Sequence, residues 1–170
     1  MTEDIFDVVN DRDEPVGRAP RGEVHARGLL HRAVHILVFD GSGRVFLQKR
    51  SLRKDTCPGR WDSSCSGHVD AGEEYDHAAS RELQEELGLA GARPVRWFRL
   101  DACVETAGEF TWVYRLRSAG PFVLHPDEID GGEWLAPAEV SRRVAARPDD
   151  YAPAFRLVWT RAVALAGREG

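Results

Sequence analysis

Residues 67–89 read GHVDAGEEYDHAASRELQEELGL, and this stretch is the most informative part of the 170-residue sequence. Its pattern predicts a helix over residues 73–87. Gly72 stands directly before this helix, and Gly88 stands where helices commonly end in a left-handed glycine. Three glutamates in the second half of the predicted helix are close enough in sequence to share one face.

Glu82, Glu85 and Glu86 fall within an arc of about 100° when each residue turns the helix by about 100°. Like charges at these spacings repel by about 0.2–0.5 kcal/mol per pair in an isolated helix. A divalent cation such as Mg²⁺, which takes oxygen ligands, would turn this repulsion between the glutamates into a favourable interaction with the metal. Leu83 and Leu87 lie beside the arc and predict that the helix packs on a core. A solvated acidic face is the alternative that the helix alone leaves open.

The stretch resembles the signature of the Nudix hydrolases. That signature is Gly, five residues, Glu, seven residues, and then Arg-Glu-aliphatic-any-Glu-Glu-any-Gly-aliphatic. Here Gly67 is followed after five residues by Glu73, and after seven more by residues 81–89, which read RELQEELGL. Every specified position of the signature matches.

The resemblance implies an α/β fold, a Nudix-type α/β/α sandwich with a mixed β-sheet, with residues 1–170 forming a single Nudix domain. It also implies hydrolysis of a diphosphate linkage that depends on Mg²⁺, with Mn²⁺ as a substitute. In the family's pattern Glu82, Glu85 and Glu86 bind the metal, and Glu73 joins or supports them.

The resemblance also bears on catalysis. Arg81 is usually a structural partner that orients a glutamate, and we group it with Glu85 and Glu86 as the catalytic set. A carboxylate must also help remove the proton of the attacking water. Glu85 or Glu86 is a candidate for this base, and a later loop offers the alternatives Asp127, Glu128 and Asp130.

Outside the signature, hydrophobic patterning predicts strands interspersed with two further helices in one mixed α/β domain. The helices are expected over about residues 137–147 and from about residue 154. The expected strands cover residues 5–9, a return through Val16, and residues 33–39, 45–48, 95–100, 102–106, 111–117 and 122–124. Residues 20–32 are mixed and receive no assignment.

The flanking segments resemble the isopentenyl-diphosphate isomerase-like branch of the same superfamily. They are Glu23-Val24-His25, Leu30-His31-Arg32-Ala33, Gln48-Lys49-Arg50-Ser51 and Pro58-Gly59-Arg60-Trp61-Asp62. In true isomerases, histidines corresponding to His25, His31 and His68 bind a metal. Downstream glutamates complete that site, and Glu105 or Glu109 is the nearest match here.

True isomerases also place a catalytic cysteine immediately before the Gly-His pair, where this chain has Ser66. Cys65 stands one position earlier, and in an extended segment that shift points the thiol to the opposite side. A serine hydroxyl is a much poorer proton donor than a thiol, whose free pKa is about 8.5. Isomerases also tend to have a degraded hydrolase motif, whereas this motif is complete. Both differences favour hydrolysis over isomerisation.

Basic residues that follow the strand at 45–48 are candidates for phosphate contact. Arg50 is the best of them, Lys49 stands beside it, and His68 of the signature loop is a third substrate-binding candidate. A solvated basic edge is the alternative. His35 lies inside a predicted strand and is interpreted as structural. Four tryptophans suggest base stacking, although most tryptophans in a domain of this size pack in or near the core: Trp61, Trp97, Trp112 and Trp134.

Composition limits the partners. Asp and Glu total 28 against 23 Lys and Arg, and the formal net charge of -5 disfavours nucleic-acid polymers and anionic membranes. No apolar run approaches the ~20 residues of a membrane span, and the acidic N-terminus does not resemble a signal peptide. Cys57, Cys65 and Cys103 lack metal or disulfide spacing, which indicates reduced thiols in a cytoplasm.

Together these features predict a cytoplasmic Nudix hydrolase whose partner is a small-molecule diphosphate. Nucleoside di- or triphosphates are the favoured substrates, because small Nudix hydrolases without an appended domain commonly act on them. The alternatives are nucleotide sugars, isoprenoid diphosphates, isomerase-type catalysis, and nucleotide binding without catalysis. Neither base preference nor oligomeric state follows from the sequence.

Overall fold

A mixed β-sheet with helices on both faces frames the protein, as seen in a computed structural model that describes residues 3–169. The strands are β1 (Ile5–Val9), β2 (Pro15–Pro20), β3 (His31–Phe39), β4 (Val45–Arg50), β5 (Trp61–Asp62), β6 (Cys65–His68), β7 (Val95–Leu100), β8 (Glu109–Arg117) and β9 (Ile129–Leu135). The helices are α1 (Arg21–Arg27), α2 (Tyr75–Leu87), α3 (Pro137–Ala146) and α4 (Pro153–Ala166), with a 3₁₀ turn at Pro148–Asp150.

Strand β3 is the centre of the sheet. On one side it pairs with β6 through residues 33–36 and with β4 through residues 38–39, in both cases antiparallel. On the other side it pairs in parallel with the whole of β8, which in turn pairs antiparallel with β7. Strands β5 and β9 both pair with β4, and β1 and β2 form a separate hairpin. The predicted mixed sheet is confirmed.

The two faces of β3 pack against different helices. Val34 and Ile36 share one core with Leu83 of α2. Leu37, which points the other way, shares a second core with Phe155 of α4. A strand buried on both faces shows this alternation. The predicted α/β/α sandwich is therefore confirmed, with α2 on one face and α4 on the other.

Helix α2 begins two residues later than the pattern 73–87 predicts. The backbone N–H of Glu73 donates to the carbonyl of Asp70 at 3.0 Å, which forms a turn before the helix. Glu74 is extended, with φ −87° and ψ 148°, and occupies the N-cap position without a side-chain capping hydrogen bond. The helix ends as predicted, because Gly88 takes a left-handed φ of 70°.

Two expected strands are wrong. Residues 102–106 run into a turn, where Ala107 and Gly108 have φ values of 54° and 81° that extended pairing does not allow. Residues 122–124 are irregular: the N–H of Val123 donates to the carbonyl of Leu87 at 3.0 Å, so this segment covers the end of α2 instead of joining the sheet.

Four helices or strands were not expected: α1 in the mixed segment 20–32, the short strands β5 and β6, and β9. Strand β9 contains Gly131 and Gly132, which are unfavourable in most strands. Glycine is needed at 132 because a Cβ there would come within 2.0 Å of the Phe46 ring. Within residues 3–169, no helix has both the length and the apolar character needed to cross a membrane.

Candidate active site

A cavity of about 1300 Å³ opens where β4 diverges from β3 and β6 takes its place. Its wall includes His35 of β3, Asp62 of β5, the end of β6 and the glutamate face of α2. The N-terminal segment, the β4–β5 loop (residues 51–60), the β7–β8 loop (residues 101–108) and the start of α4 complete it. The signature loop and helix thus form only one side of the cavity.

The three predicted carboxylates of α2 all line this cavity. Glu82 and Glu86, one helical turn apart, are buried, whereas the Glu85 side chain is 56% exposed. Residues four apart lie on the same helix face, so the buried pair faces the sheet while Glu85 lies nearer solvent. The structure therefore brings the predicted glutamates together in two different environments.

Gly67 lies directly against the carboxylate of Glu82. A Cβ at residue 67 would come within 2.1 Å of the Glu82 Cδ atom. The glycine is required here by the close approach of a side chain, which explains physically why the signature begins with this residue type.

Glu86 is held by buried donors from two strands. Gln48 of β4 donates from Nε2 to Glu86 Oε2 at 3.0 Å, and the backbone N–H of Ser66 donates to the same oxygen at 3.3 Å. Gln48 is itself only 1% exposed, and its Nε2 also reaches the Ser64 carbonyl at 3.4 Å. The position of this carboxylate is therefore fixed by the sheet as well as by the helix.

Burial raises the pKa of both inner glutamates. Desolvation, followed by the nearby charge of Glu86, raises the pKa of Glu82 to about 8. Desolvation also raises the pKa of Glu86 to about 7, against the opposing effect of its hydrogen bonds from Gln48 and Ser66. Two carboxylates packed this closely away from water favour a proton or a cation between them.

Arg81 links the signature loop to the glutamates. Its Nε and Nη2 both donate to Glu73 at 2.9 Å, and its Nη1 donates to Glu82 at 2.7 Å. It also reaches Glu85 at 3.3 Å and the backbone carbonyl of His68 at 2.9 Å. The hydrogen bond to Glu73 is the main reason that the pKa of Arg81 is raised, so the guanidinium stays charged. This is the geometry that an orienting role requires.

Glu73 lies behind Arg81 and does not line the cavity. Its Oε1 accepts from Arg81 Nε and lies 3.2 Å from His77 Nδ1. Its Oε2 accepts from Arg81 Nη2 and, at 3.0 Å, from the backbone N–H of Asp70. With both oxygens engaged, the geometry favours a supporting role for Glu73 over direct metal binding.

The glutamate wall fits a divalent cation by the chemistry of its donors. Hard cations such as Mg²⁺ take carboxylate oxygens, and Glu82, Glu85 and Glu86 supply them from one helix face. Arg81 is the only cation within hydrogen-bond distance of these carboxylates in residues 3–169. The remaining negative charge is what a bound cation would balance.

A second group of metal-ligand side chains lies at the cavity. His25, His31 and His68 offer ring nitrogens that lie within 4.8 Å of one another. Glu109 of β8 is 3.1 Å from Nε2 of His68 and 3.5 Å from Nε2 of His31. Burial alone would raise the pKa of Glu109, but hydrogen bonds to the two histidines lower it. The structure thus groups Glu109, and not Glu105, with the histidines.

Cys65 and Ser66 point to opposite sides of β6, as the shift by one position predicts. Cys65 is fully buried in the core beneath α2, and desolvation raises its pKa well above the ordinary value. Ser66 lines the cavity. The cavity therefore presents a hydroxyl where true isomerases present a thiol.

Four cations that line the cavity are each paired with a carboxylate. Arg50, the best candidate for phosphate contact, donates from Nη1 to Asp62 at 3.2 Å and from Nη2 to the Thr56 carbonyl at 2.9 Å. The other pairs are Arg21–Asp55 at 2.7 Å, Arg53–Asp127 and Lys54–Glu128. A phosphate bound here would compete with carboxylates for these cations.

The late-loop carboxylates differ in their access to the cavity. Asp127 and Glu128 line it, although both are paired with the β4–β5 loop. Asp130 does not line it, and accepts the backbone N–H of Leu52 at 3.0 Å. Of the three alternatives for a late-loop base, only Asp127 and Glu128 are within the cavity wall.

Lys49 and the tryptophans lie away from the cavity wall. The Lys49 ammonium lies 5.0 Å from the centroid of the Trp61 ring, and it is Gln48 and Arg50, its neighbours in sequence, that face the site. The four tryptophans pack beside the two cores and none lines the cavity within residues 3–169: Trp61, Trp97, Trp112 and Trp134. The four tryptophans therefore contribute to packing and not to a base-stacking surface of the cavity.

Sequence reasoning missed His35 and Asp62, which line the cavity, and Gln48, which holds Glu86 from behind it. His35 is not only part of a strand but also part of the cavity. His35 and Gln48 could have been recognised as polar residues inside otherwise apolar strands. A polar side chain is costly to bury without a hydrogen-bond partner, so each of them predicts a partner nearby.

Comparisons with known proteins agree on one family. Residues 29–157 match the model described as the NUDIX domain. A protein of Yersinia pestis named as an uncharacterized Nudix hydrolase is 35% identical over 158 residues, which cover 91% of this chain and 85% of that protein. The isopentenyl-diphosphate delta-isomerase of Nocardia farcinica is 39% identical over 153 residues, covering 86% and 87%.

Solved structures give the same result. The crystal structure of DR0079 from Deinococcus radiodurans is similar with a TM-score of 0.74 and 34% sequence identity, covering 84% of this chain and 89% of that one. At this level of similarity and coverage, the two chains share the fold.

The close approach at Gly67 predicts the effect of adding one methyl group. In Gly67→Ala the new Cβ displaces the Glu82 carboxylate and its bond to Arg81, so we expect the free energy of unfolding to fall by about 1–3 kcal/mol. Gly131→Ala is the matched control, because nothing lies within 4 Å of its Cβ position. Equal stability of the two variants by chemical denaturation would contradict this account.

The raised pKa values of Glu82 and Glu86 predict how pH affects the protein without divalent cations. Their folded pKa values lie above the ordinary 4.5, so the folded state binds more protons between pH 4.5 and about 8. Stability therefore falls as pH rises through that window, by about 1.4 kcal/mol per pKa unit for an uncoupled group. In EDTA we expect a lower free energy of unfolding at pH 8.5 than at pH 5.5, and a smaller difference in Glu86→Gln. The same difference in both proteins would refute this.

Proposed function

This chain belongs to the Nudix hydrolases, enzymes that act on pyrophosphate bonds, and from that premise we propose that it is a Mg²⁺-dependent hydrolase of nucleoside di- or triphosphates, with Mn²⁺ as a substitute. The observation that carries the proposal is the carboxylate wall of Glu82, Glu85 and Glu86, which faces a cavity edged by paired cations.

Glu82, Glu85 and Glu86 would hold the metal in this reaction. When bound, Mg²⁺ neutralises phosphate oxygens and makes a coordinated water more acidic. Arg81 keeps the carboxylates in place through its bonds to Glu82 and Glu73. The fixed position of Glu86 matters because a wall that is already oriented needs little reorganisation when charge develops on the substrate.

The proton of the attacking water needs a carboxylate acceptor, and Glu85 is the favoured one. It has more access to solvent than Glu82 or Glu86, and at 3.3 Å its bond to Arg81 is longer than that of Glu82. Glu86, Asp127 and Glu128 are the alternatives, since each lines the cavity.

Phosphate groups distal to the metal would meet the guanidinium of Arg50, with His68 on the signature side. Lys49 is set aside as a phosphate contact because its ammonium lies over Trp61. The cavity volume of about 1300 Å³ exceeds the ~300–1,000 Å³ of ordinary small-molecule sites, which leaves space for a nucleoside.

A substrate panel tests the proposal. We expect release of phosphate or pyrophosphate from at least one nucleoside di- or triphosphate, dependent on Mg²⁺ or Mn²⁺. Glu86→Gln should lower kcat/KM by at least about 100-fold, because changes even to residues behind a metal ligand commonly cost 10–100-fold. Glu74→Gln, a change to an exposed glutamate before α2, is the matched control and should stay active.

The same panel separates the alternatives. Turnover confined to nucleotide sugars or isoprenoid diphosphates would move the proposal to that substrate class. Thermal stabilisation by nucleotides with no turnover under either metal would identify a binding protein and would refute hydrolysis.

Isomerisation of isopentenyl diphosphate is a second candidate, favoured by the grouping of Glu109 with three histidines and by the likeness to the Nocardia farcinica isomerase. The position of Cys65 in the core, with Ser66 at the cavity, speaks against it. We expect no interconversion of the two five-carbon diphosphates. If interconversion is found and Cys65→Ala abolishes it, the isomerase replaces the hydrolase; if it persists in Cys65→Ala, the thiol has no part.

A further inference from the structure

His35 projects into the cavity from the centre of β3, on the face opposite Val34 and Ile36. The residue is only 4% exposed, yet it belongs to the cavity wall. Its Nδ1 lies 2.8 Å from the hydroxyl oxygen of Ser63, which is itself fully buried. The ring is therefore held from behind by one nitrogen.

The hydrogen bond between His35 and Ser63 favours one tautomer of the ring. The Ser63 hydroxyl has one acceptor in residues 3–169, and this is Nδ1 of His35. A buried hydroxyl left without an acceptor costs free energy, so the serine donates and Nδ1 accepts. A neutral ring in that state carries its proton on Nε2. None of the hydrogen bonds in residues 3–169 uses Nε2, so it remains as a donor for a ligand.

Asp62 connects the His35–Ser63 pair to Arg50. Its Oδ1 accepts the backbone N–H of Ser63 at 2.7 Å and lies 3.8 Å from Nδ1 of His35, while its Oδ2 accepts from Arg50 at 3.2 Å. One carboxylate thus positions both the serine behind the imidazole and the guanidinium beside it. Two donors of the cavity wall, His35 and Arg50, are tied to one rigid support.

We propose that His35 contacts the substrate, donating from Nε2 to a phosphate oxygen next to the one that Arg50 engages, and that Ser63 and Asp62 are its positioning residues. The inference rests on the proposed function only in that the ligand is a diphosphate. It requires no bond to be made or broken by His35. An anionic oxygen is the partner because Nε2–H and Arg50 are both donors.

Two substitutions at residue 35 separate ligand contact from structural support. Asparagine places its amide where Nδ1 stands and keeps the bond to Ser63, whereas glutamine places its amide near Nε2. We expect His35→Gln to bind imidodiphosphate in the presence of Mg²⁺ more tightly than His35→Asn, because it keeps a donor near the Nε2 position and loses only the support of Ser63. His35→Asn should bind it about tenfold or more weakly, the loss expected for one hydrogen bond to a charged group. The two variants are matched controls for each other in calorimetric titration.

The opposite order, with His35→Asn equal to the wild type and His35→Gln weaker, would show that the ring serves only Ser63 and would overturn the proposal. Ser63→Ala should weaken binding in the same direction as His35→Asn. An unchanged affinity in Ser63→Ala would refute its positioning role.

A measurement on the unaltered protein covers the case in which a variant does not fold. In protein labelled with ¹⁵N-histidine, saturating Mg²⁺ and imidodiphosphate should shift the Nε2 resonance of His35 more than its Nδ1 resonance. No shift at Nε2, or no binding, overturns the proposal. Because imidodiphosphate resists hydrolysis, this result is independent of the nucleotide panel: binding through His35 with no turnover refutes only the hydrolase.

Discussion

The burial of two carboxylates beneath one arginine is the constraint on which the site depends. Glu82 and Glu86 lose most of their hydration when α2 packs on the sheet, and Leu83 beside them makes that packing favourable. Arg81 supplies one positive charge, and Gly67 supplies the space for the Glu82 carboxylate. Packing the helix against the sheet thus leaves an electrostatic cost between the two buried carboxylates, which a bound divalent cation would lower. The same residues therefore determine both the stability of the fold and the affinity for metal.

Strand β3 sets the position of the glutamate face of α2 relative to the cavity wall that contains His35. Its even-numbered residues, such as Ile36, support α2 from below, whereas His35 faces the cavity and Leu37 the core of α4. Because β4 and β6 both pair along one edge of β3, Gln48 and Ser66 converge on Glu86 from separate strands. A shift of one residue in either pairing would exchange cavity and core residues, since side chains alternate along a strand.

The sequence predicts most strongly where spacing alone dictates geometry. The glutamates of α2 lie on one helix face because their separations require it, and Cys65 and Ser66 diverge because strands alternate. Strand β9 was not predictable, since Gly132 is explained only by the ring of Phe46, which is distant in sequence. The same is true of Gln48 and His35, whose partners are Glu86 of α2 and Ser63 of the β5–β6 connection. Such positions are defined by long-range pairing, which local patterning does not contain.

The N-terminal hairpin and α1 give the cavity a composite origin. The NUDIX match begins at residue 29, whereas Phe6, Arg21 and His25 come from the preceding segment and still line the cavity. The carboxylates that would hold metal therefore come from the matched segment, whereas part of the surface that would meet the rest of the ligand comes from the residues before it. Residues 5–7 of this segment also hold the signature loop, because the backbone N–H of Gly72 donates to Asp7 at 2.8 Å and that of Ala71 donates to the Ile5 carbonyl at 2.8 Å. A change in the N-terminal segment would therefore alter both what the cavity admits and the loop that leads into α2.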